Sequence, residues 1–87
     1  MTPETAIKKQ IKDYLDVKKI WYFYIVQGLG AYKGIPDLFV VYEGKTYALE
    51  IKTEKGRLSE HQERFKEHYE SNGGTYLVVR SIDDLPF

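Results

Sequence analysis

The hydrophobic and polar residues of this chain recur with the period of a helix near its start. Apolar residues stand at helical spacing at Ile7, Ile11, Tyr14 and Leu15. Thr2-Pro3-Glu4 precedes them and is typical of a helix start, because Thr can cap free N–H groups and Pro suits the first helical position. This predicts an amphipathic helix from about residue 3 to about residue 18, with its lysines Lys8, Lys9 and Lys12 largely on the solvent side.

Four other segments have the composition of β-strands. Ile20 to Val26 is continuously apolar and aromatic, which predicts a strand covered on both faces. Leu38 to Tyr42 and Thr46 to Lys52 flank Gly44-Lys45, which we predict to be the two turn residues of a tight hairpin. Thr75 to Arg80 is predicted to form the last strand.

A second helix is predicted after Leu58. Ser59 through Gln62 matches a capping box, Phe65 and Tyr69 give the helix an apolar side, and Gly73-Gly74 ends it. The remaining segments are predicted as loops or short turns: Gln27 to Pro36, Glu54 to Leu58 and Ser81 to Phe87.

The order αβββαβ predicts an α/β fold with a small mixed sheet flanked by helices. The 87 residues contain no repeat or linker and are interpreted as a single domain, residues 1–87. A chain of this length buries only about 60 to 65% of its unfolded surface. The core is therefore thin, which favours a homodimer whose two-fold interface would bury more.

Composition narrows the classes of function. The 13 basic and 13 acidic residues cancel, so any affinity for DNA must come from their local arrangement. The absence of cysteine excludes disulfides, thiolate zinc sites and cysteine nucleophiles. No apolar run reaches the ~18 residues of a membrane span, and the N-terminus lacks the apolar segment of a signal peptide. We therefore expect a cytoplasmic protein that does not bind membranes.

The chemistry is carried by charged residues on predicted strands. Side chains alternate along a strand, so Glu50 and Lys52 share one face while Leu49 and Ile51 share the other. With Gly44-Lys45 as the turn, Asp37 is predicted to lie opposite Lys52 and diagonal to Glu50. Diagonal neighbours lie within ~7 to 8 Å, close enough for two carboxylates to hold one ion.

Two adjacent carboxylates repel each other unless a divalent cation lies between them, and ligation by oxygen alone favours Mg²⁺ or Mn²⁺. Such an ion can polarise a phosphodiester and lower the pKa of a bound water. Lys52 would then stabilise negative charge on the phosphate or orient the attacking water. A solvated ion pair is the alternative explanation of Glu-x-Lys on a strand. The segment Gly34 to Asp37 favours the site, because it leaves Asp37 at the end of a loop.

These motifs resemble the PD-(D/E)XK nucleases and, over nearly the whole chain, their VRR-NUC branch. The matching elements are Glu4 on the first helix, Gly34 to Asp37, Glu50-Ile51-Lys52, Gly56 through Ser59 to Gln62, and Gly73-Gly74. The resemblance implies a restriction-endonuclease-like core. It also implies a small, virus-type nuclease that acts as a homodimer on branched DNA, in the manner of a Holliday-junction resolvase, and needs no nucleotide cofactor.

The resemblance also implies roles for individual residues. Asp37, Glu50 and the backbone carbonyl of Ile51 would bind the metal, Lys52 would assist the attack, and Glu4 and Gln62 would complete the pocket. Glu4 could instead be a first-turn residue that favours the helix dipole, or a partner of Lys8. Gln62 could equally be the capping partner of Ser59, and both roles can coexist.

Other candidates are less specific. Basic residues that flank the expected site could neutralise DNA phosphates or act only as solubilising charges; they are Lys33, Lys55, Arg57 and Arg64. His61 and His68 are seven residues apart, too far for the usual metal pair, and are interpreted as surface residues. Tyr32 could stack on a ligand or line the pocket.

The leading hypothesis is therefore a metal-dependent endodeoxyribonuclease, each subunit of a dimer nicking one strand. A catalytically silent module that binds DNA or a protein is the alternative from another class. A third hypothesis keeps the enzyme but has it cut flaps, ends or nicked duplex.

Overall fold

The computed structural model describes residues 2–26, 28 and 30–87. Gln27 and Leu29, which belong to the predicted loop from Gln27 to Pro36, lie outside the described residues. The elements are α1 (Pro3–Val17), β1 (Tyr22–Phe23), β2 (Leu38–Tyr42), β3 (Lys45–Ile51), α2 (Glu60–Ser71), β4 (Thr75–Val79) and a 3₁₀ helix (Ile82–Asp84). Before the 3₁₀ helix their order is the predicted αβββαβ.

The strands form a mixed sheet in the order β1-β2-β3-β4. β1 pairs with β2 and β2 pairs with β3, both in antiparallel orientation, whereas β3 and β4 are parallel. A parallel pair needs a crossover connection, and α2 supplies it. The polar segment between β3 and α2 thus begins where Lys52 leaves the sheet.

Both helices start at the predicted capping residues. Thr2 Oγ1 accepts a hydrogen bond from the Thr5 N–H at 3.1 Å, and Pro3 occupies the first turn of α1. At α2, the Gln62 N–H donates to Ser59 Oγ at 3.2 Å, and the Ser59 N–H donates to Gln62 Oε1 at 2.8 Å. The capping box therefore satisfies two backbone donors that a helix start leaves free.

The core is divided between the two faces of the sheet. Leu49 and Ile51 of β3 pack with Ile11 and Leu15 of α1. The other face of β3 carries Ala48, which belongs to a second cluster. Side chains of β2, β4 and α2 complete this cluster, among them Phe39, Tyr76 and Phe65. Because successive strand residues point to opposite faces, α1 and α2 cover opposite sides of the sheet.

The predicted strand from Ile20 to Val26 is wrong in its length and in its burial. β1 contains only Tyr22 and Phe23, which pair with Val40 and Phe39. β1 is an edge strand, and Trp21, the residue before it, is 64% exposed. An apolar run forms a covered strand only when other elements pack on both of its faces. At the sheet edge, this segment lacks such cover.

The predicted hairpin turn is displaced by one residue. Tyr42 pairs with Lys45, so the turn residues are Glu43 and Gly44, with φ values of 50° and 78°. Two positive φ values are characteristic of the type I′ turn, which suits the twist of the strands. The displacement moves every partner by two positions and so keeps each side chain on its predicted face. Asp37 consequently lies opposite Glu50, not opposite Lys52.

None of the helices in the described part of the chain combines the length and the apolar character that crossing a membrane requires.

Candidate active site

A cleft of about 480 Å³ brings together side chains from five parts of the chain. Both helices, the segment after β1 and the ends of β2 and β3 contribute to it. Its lining residues are Glu4, Lys8, Lys12, Tyr24, Ile25, Val26, Asp37, Glu50 and Gln62. Four of the residues predicted to form the site, Glu4, Asp37, Glu50 and Gln62, therefore share one cleft.

Asp37 is fixed on both of its carboxylate oxygens. Its Oδ2 accepts a hydrogen bond from the backbone N–H of Ile51 at 2.8 Å. Its Oδ1 lies 3.1 Å from the ammonium of Lys8. The buried ring of Pro36 fixes the backbone just before it. Asp37 thus enters the cleft in one orientation, with only 6% of its side chain exposed.

Glu50 is a charged residue buried in the core, with 1% of its surface exposed. Its Oε1 is buried and has no hydrogen-bond partner among the described residues. Burial and then the adjacent Asp37 raise the pKa of Glu50 to about 9, and the positive charge of Lys52 opposes both. A buried carboxylate oxygen without a partner is costly in a purely structural cluster.

Asp37 and Glu50 behave as one acidic pair. Burial acts to raise the pKa of Asp37, but hydrogen bonds from Glu50, from the Ile51 N–H and from Lys8 outweigh it and hold that pKa below its ordinary value. The same hydrogen bond between the carboxyl groups raises the pKa of Glu50. Without a cation, Asp37 therefore carries the negative charge and Glu50 keeps a proton near neutral pH.

The backbone of Ile51 offers a third oxygen to the site. Its N–H donates to Asp37, whereas the N–H of the next residue, Lys52, donates to Val79 of β4 at 3.0 Å. The N–H and C=O of one strand residue point to the same side, so the Ile51 carbonyl points towards β2. The pairing of β2 with β3 ends at Leu38 and Leu49, and Pro36, two residues before Leu38, has no N–H to donate. Pro36 therefore cannot donate a ladder hydrogen bond to the Ile51 carbonyl.

These donors suit a hard divalent cation. In the part of the chain that the structure describes, no three side chains of His, Cys, Asp or Glu are grouped to hold a metal ion. The available oxygens are those of Asp37 and Glu50, together with the Ile51 carbonyl. An all-oxygen set with two carboxylates fits Mg²⁺ or Mn²⁺, and Mg²⁺ commonly keeps several waters when few protein groups bind it. The unpartnered Glu50 Oε1 is the observation that supports this fit.

Glu4 and Gln62 line the cleft from opposite helices. The charge of Glu4 contributes to the raised pKa of Glu50, after burial, Asp37 and the opposing effect of Lys52. Gln62 both caps α2 and lines the cleft, so its capping bond is compatible with the predicted site role, which stays a prediction. The structure pairs Lys8 with Asp37, and this places Lys8 elsewhere than the predicted solvent side of α1.

Lys52 follows the last residue of β3 and is partly buried. Its ammonium lowers the pKa of Glu50, which places it in the electrostatic environment of the acidic pair. The next loop is held by Arg80, whose guanidinium donates to the carbonyls of Thr53, Glu54 and Gly56. Arg80 therefore fixes the backbone through which Lys52 leaves the sheet.

The four basic residues predicted to contact DNA are exposed and lie outside the cleft. Arg64 forms an ion pair with Glu60 at 2.6 Å. Lys33 and Arg64 line a second cleft of about 430 Å³ together with Tyr32, His61 and His68. Lys55 and Arg57 lie between β3 and α2. Their contacts with DNA remain predictions.

Several residues near the site were not predicted from the sequence. Lys8 and Lys12 follow Glu4 by four and eight residues, so a helical repeat of Glu4 would have placed them in the cleft. Tyr24 lines the same cleft from the segment that was predicted to be buried. The Tyr76 hydroxyl is buried without a partner among the described residues. Burial and then the charges of Glu50 and Asp37 raise the pKa of Tyr76.

Comparison with known proteins supports the fold. No protein-family model matches the chain, and no curated protein matches it. A solved structure described as a VRR_NUC domain is similar with a TM-score of 0.80 and 25% sequence identity. The similarity covers 95% of this chain and 89% of the other. It confirms the resemblance found in the sequence and the restriction-endonuclease-like fold. The chain thus has the fold of a VRR-NUC domain, a nuclease-like domain.

Proposed function

We propose that this protein is a divalent-metal-dependent endodeoxyribonuclease whose active centre is built on Asp37 and Glu50. The observation that carries the proposal is the buried Glu50 carboxylate, which faces Asp37 across the end of the sheet and leaves Oε1 without a partner. A carboxyl pair of this kind is suited to a cation, and the VRR_NUC similarity makes a phosphodiester the expected substrate.

The residues divide the work by their positions. Asp37, Glu50 and the Ile51 carbonyl would hold Mg²⁺ or Mn²⁺, which when bound supplies Lewis-acid polarisation of the phosphodiester and a more acidic water. Lys52 would stabilise the negative charge that develops on phosphorus oxygens. Glu4 and Gln62 line the cleft, and their polar atoms would orient water beside the reacting groups. Water forms a bond to phosphorus and loses a proton, the bond between phosphorus and the sugar oxygen breaks, and that oxygen takes up a proton.

Substrate shape and assembly belong to the same proposal. We expect a homodimer, because two nicks on opposite strands of a branched DNA require two active centres related by two-fold symmetry. The exposed basic residues Lys33, Lys55, Arg57 and Arg64 would bind phosphates on either side of the cut. The protein's formal net charge is zero, so these local contacts carry the affinity.

The silent binding module has one observation in its favour. Lys8 pairs with Asp37 at 3.1 Å, as a structural ion-pair cluster would require. A structural cluster would also be expected to provide hydrogen-bond partners for both oxygens of Glu50. Oε1 of Glu50, however, is buried and has no partner among the described residues. The nuclease accounts for both observations, because Lys8 neutralises Asp37 until a metal ion binds.

The test compares DNA of equal sequence and different geometry. Labelled four-way junction, flap, nicked duplex and linear duplex are incubated with purified protein in Mg²⁺, Mn²⁺ or EDTA. Cutting of the junction in metal, faster than cutting of linear duplex and absent in EDTA, is the expected result. Preferential cutting of flaps, ends or nicks would support the nuclease activity but contradict the preference for junctions. DNA binding without cutting in either metal supports the silent module.

A further inference from the structure

One wall of the active-site cleft has no role in the proposed phosphodiester chemistry. It consists of Tyr24, Ile25 and Val26, residues that are 56%, 46% and 79% exposed. Neither core cluster includes them. Isolated apolar residues at a surface need no explanation, but here three consecutive ones line the cleft that holds the acidic pair. This wall, residues 24–26, therefore has the position of a substrate-binding surface.

Positively charged side chains of α1 lie beside this wall. The Lys12 ammonium lies 4.3 Å from the centre of the Tyr24 ring, a cation–π contact. Lys8, one helical turn earlier on α1, lines the same cleft. An aromatic ring beside lysines is the combination that binds unpaired nucleic acid, because bases stack on the ring and cations neutralise the backbone. The charge and the ring thus complement the two chemical parts of one nucleotide.

We propose that Tyr24 is a stacking site for a nucleobase adjacent to the cut, and that Lys12 binds the backbone phosphate next to that base. This inference rests on the proposed nuclease function and names its substrate class. Inside a duplex both faces of each base are covered by neighbouring bases. A base can stack on Tyr24 only where that stack is interrupted, as at a flap, a branch point or a frayed end.

Equilibrium binding in EDTA tests the inference without requiring cleavage. Fluorescence anisotropy measures the Kd of the full chain for a labelled flap DNA and for a linear duplex of the same sequence. Tyr24→Leu removes the ring and should weaken flap binding by about 5- to 150-fold, the range for loss of one stacked base. Tyr24→Phe keeps the ring and should rescue binding. Trp21→Leu is the matched control, an aromatic that is 64% exposed but does not line the cleft.

A change in the DNA provides a second test that leaves the fold untouched. Abasic analogues are placed one at a time at the nucleotides around the branch. At one position, loss of the base should weaken binding by the wild type and have little further effect on Tyr24→Leu. Equal sensitivity of the two proteins at every position would overturn the inference.

The remaining outcomes separate this inference from the nuclease proposal. Flap binding that Tyr24→Leu leaves unchanged, or that falls as much with duplex as with flap, overturns the stacking site. Metal-dependent cutting of flaps that is unaffected by Tyr24→Leu also overturns it, while the nuclease proposal stands. A wild type that cuts no DNA but binds flaps through Tyr24 supports the stacking site, while the nuclease proposal fails.

Discussion

The ammonium of Lys8 lies 3.1 Å from Oδ1 of Asp37, on the carboxylate whose other oxygen accepts the N–H of Ile51. A lysine of α1 therefore neutralises the acidic residue that directly precedes β2. The pair keeps Asp37 ionised inside the cleft when no cation is bound. A divalent metal at the same carboxylate has to compete with the Lys8 ammonium.

Replacing Lys8 should therefore tighten metal binding. Lys8→Met removes the competing charge and keeps most of the side chain's volume. Lys8 is about a third exposed, so solvent screens its charge, and such a pair contributes up to about 1 kcal/mol. We expect a gain of up to about fivefold in Mn²⁺ affinity, measured by isothermal titration calorimetry.

The matched control is Lys9→Met on the same helix. Lys9 forms an exposed pair with Asp13 at 2.7 Å and does not line the cleft. Its replacement should leave Mn²⁺ affinity unchanged. A Lys8→Met protein that binds Mn²⁺ no more tightly than Lys9→Met would show that metal and Lys8 do not compete for Asp37.

The buried Glu50 gives the metal-free protein a specific dependence on pH. Its pKa is raised from 4.5 to about 9 by burial and then by Asp37. Between these values the unfolded chain has lost this proton and the folded chain keeps it, so rising pH favours unfolding. We expect the melting temperature in EDTA to fall as pH rises through this window. Asp37 affects stability only at acidic pH. Because folding lowers the pKa of Asp37, its contribution to stability is lost as the pH falls below the ordinary pKa of an aspartate.

Glu50→Gln isolates this effect. The amide has nearly the same shape and does not ionise, so its melting temperature in EDTA should stay nearly level over the same window. At pH 8 to 9 we expect it to melt higher than the wild type by about 4 °C or more, the shift that ~1 kcal/mol gives in a domain of this size. Parallel pH profiles of the two proteins would contradict a titrating Glu50.

Lys52 should contribute to catalysis and little to folding. Removal of one group that stabilises transition-state charge typically costs about 10² to 10³ in kcat. We expect Lys52→Ala to lose cleavage by at least this factor while its melting temperature and DNA affinity change little. Lys45→Ala, at the exposed opposite end of β3, is the control. Wild-type cleavage by Lys52→Ala would remove Lys52 from the active centre.

Arg80 should stabilise the loop that follows Lys52. Its guanidinium contacts the carbonyls of Thr53, Glu54 and Gly56, which a neutral side chain cannot replace. We expect Arg80→Leu to lower the free energy of unfolding by about 2 kcal/mol. Hydrogen exchange of the Gly56 amide, which donates to Thr53 at 3.0 Å, should become faster.

Arg57→Leu is the comparison for this loop, because Arg57 is exposed on the same connection. Its change in unfolding free energy should stay within about 0.5 kcal/mol. Equal stability of the Arg80 and Arg57 variants would contradict the organising role of Arg80.

Features set by local sequence could be predicted well. The caps at Thr2 and Ser59 depend on residues within one turn, and both are confirmed. The face assignment of Glu50 and Asp37 was also correct, because displacing the hairpin turn by one residue preserves the alternation of side chains. The turn itself was missed because Glu43 adopts a positive φ, which is uncommon for a residue other than glycine.

Features that depend on neighbouring elements could not be predicted in the same way. The apolar segment around Trp21 and Tyr24 has the composition of a buried strand, yet its exposure is decided by its place at the sheet edge. The pair between Lys8 and Asp37 requires the orientation of α1 across the sheet, which no local pattern specifies. Both cases depend on how elements that are distant in sequence are arranged around the sheet.

The most direct test of the central claim is single-turnover cleavage of a labelled four-way junction by the wild type and by Glu50→Gln, each with Mg²⁺ and with EDTA. Glu50→Gln is expected to be at least as stable as the wild type near pH 8, so a loss of cutting cannot be attributed to unfolding. We predict cutting by the wild type in Mg²⁺ alone and a rate at least about 100-fold lower for Glu50→Gln. Cutting by the folded variant at the wild-type rate, or by the wild type in EDTA, would contradict a metal-dependent centre at Asp37 and Glu50.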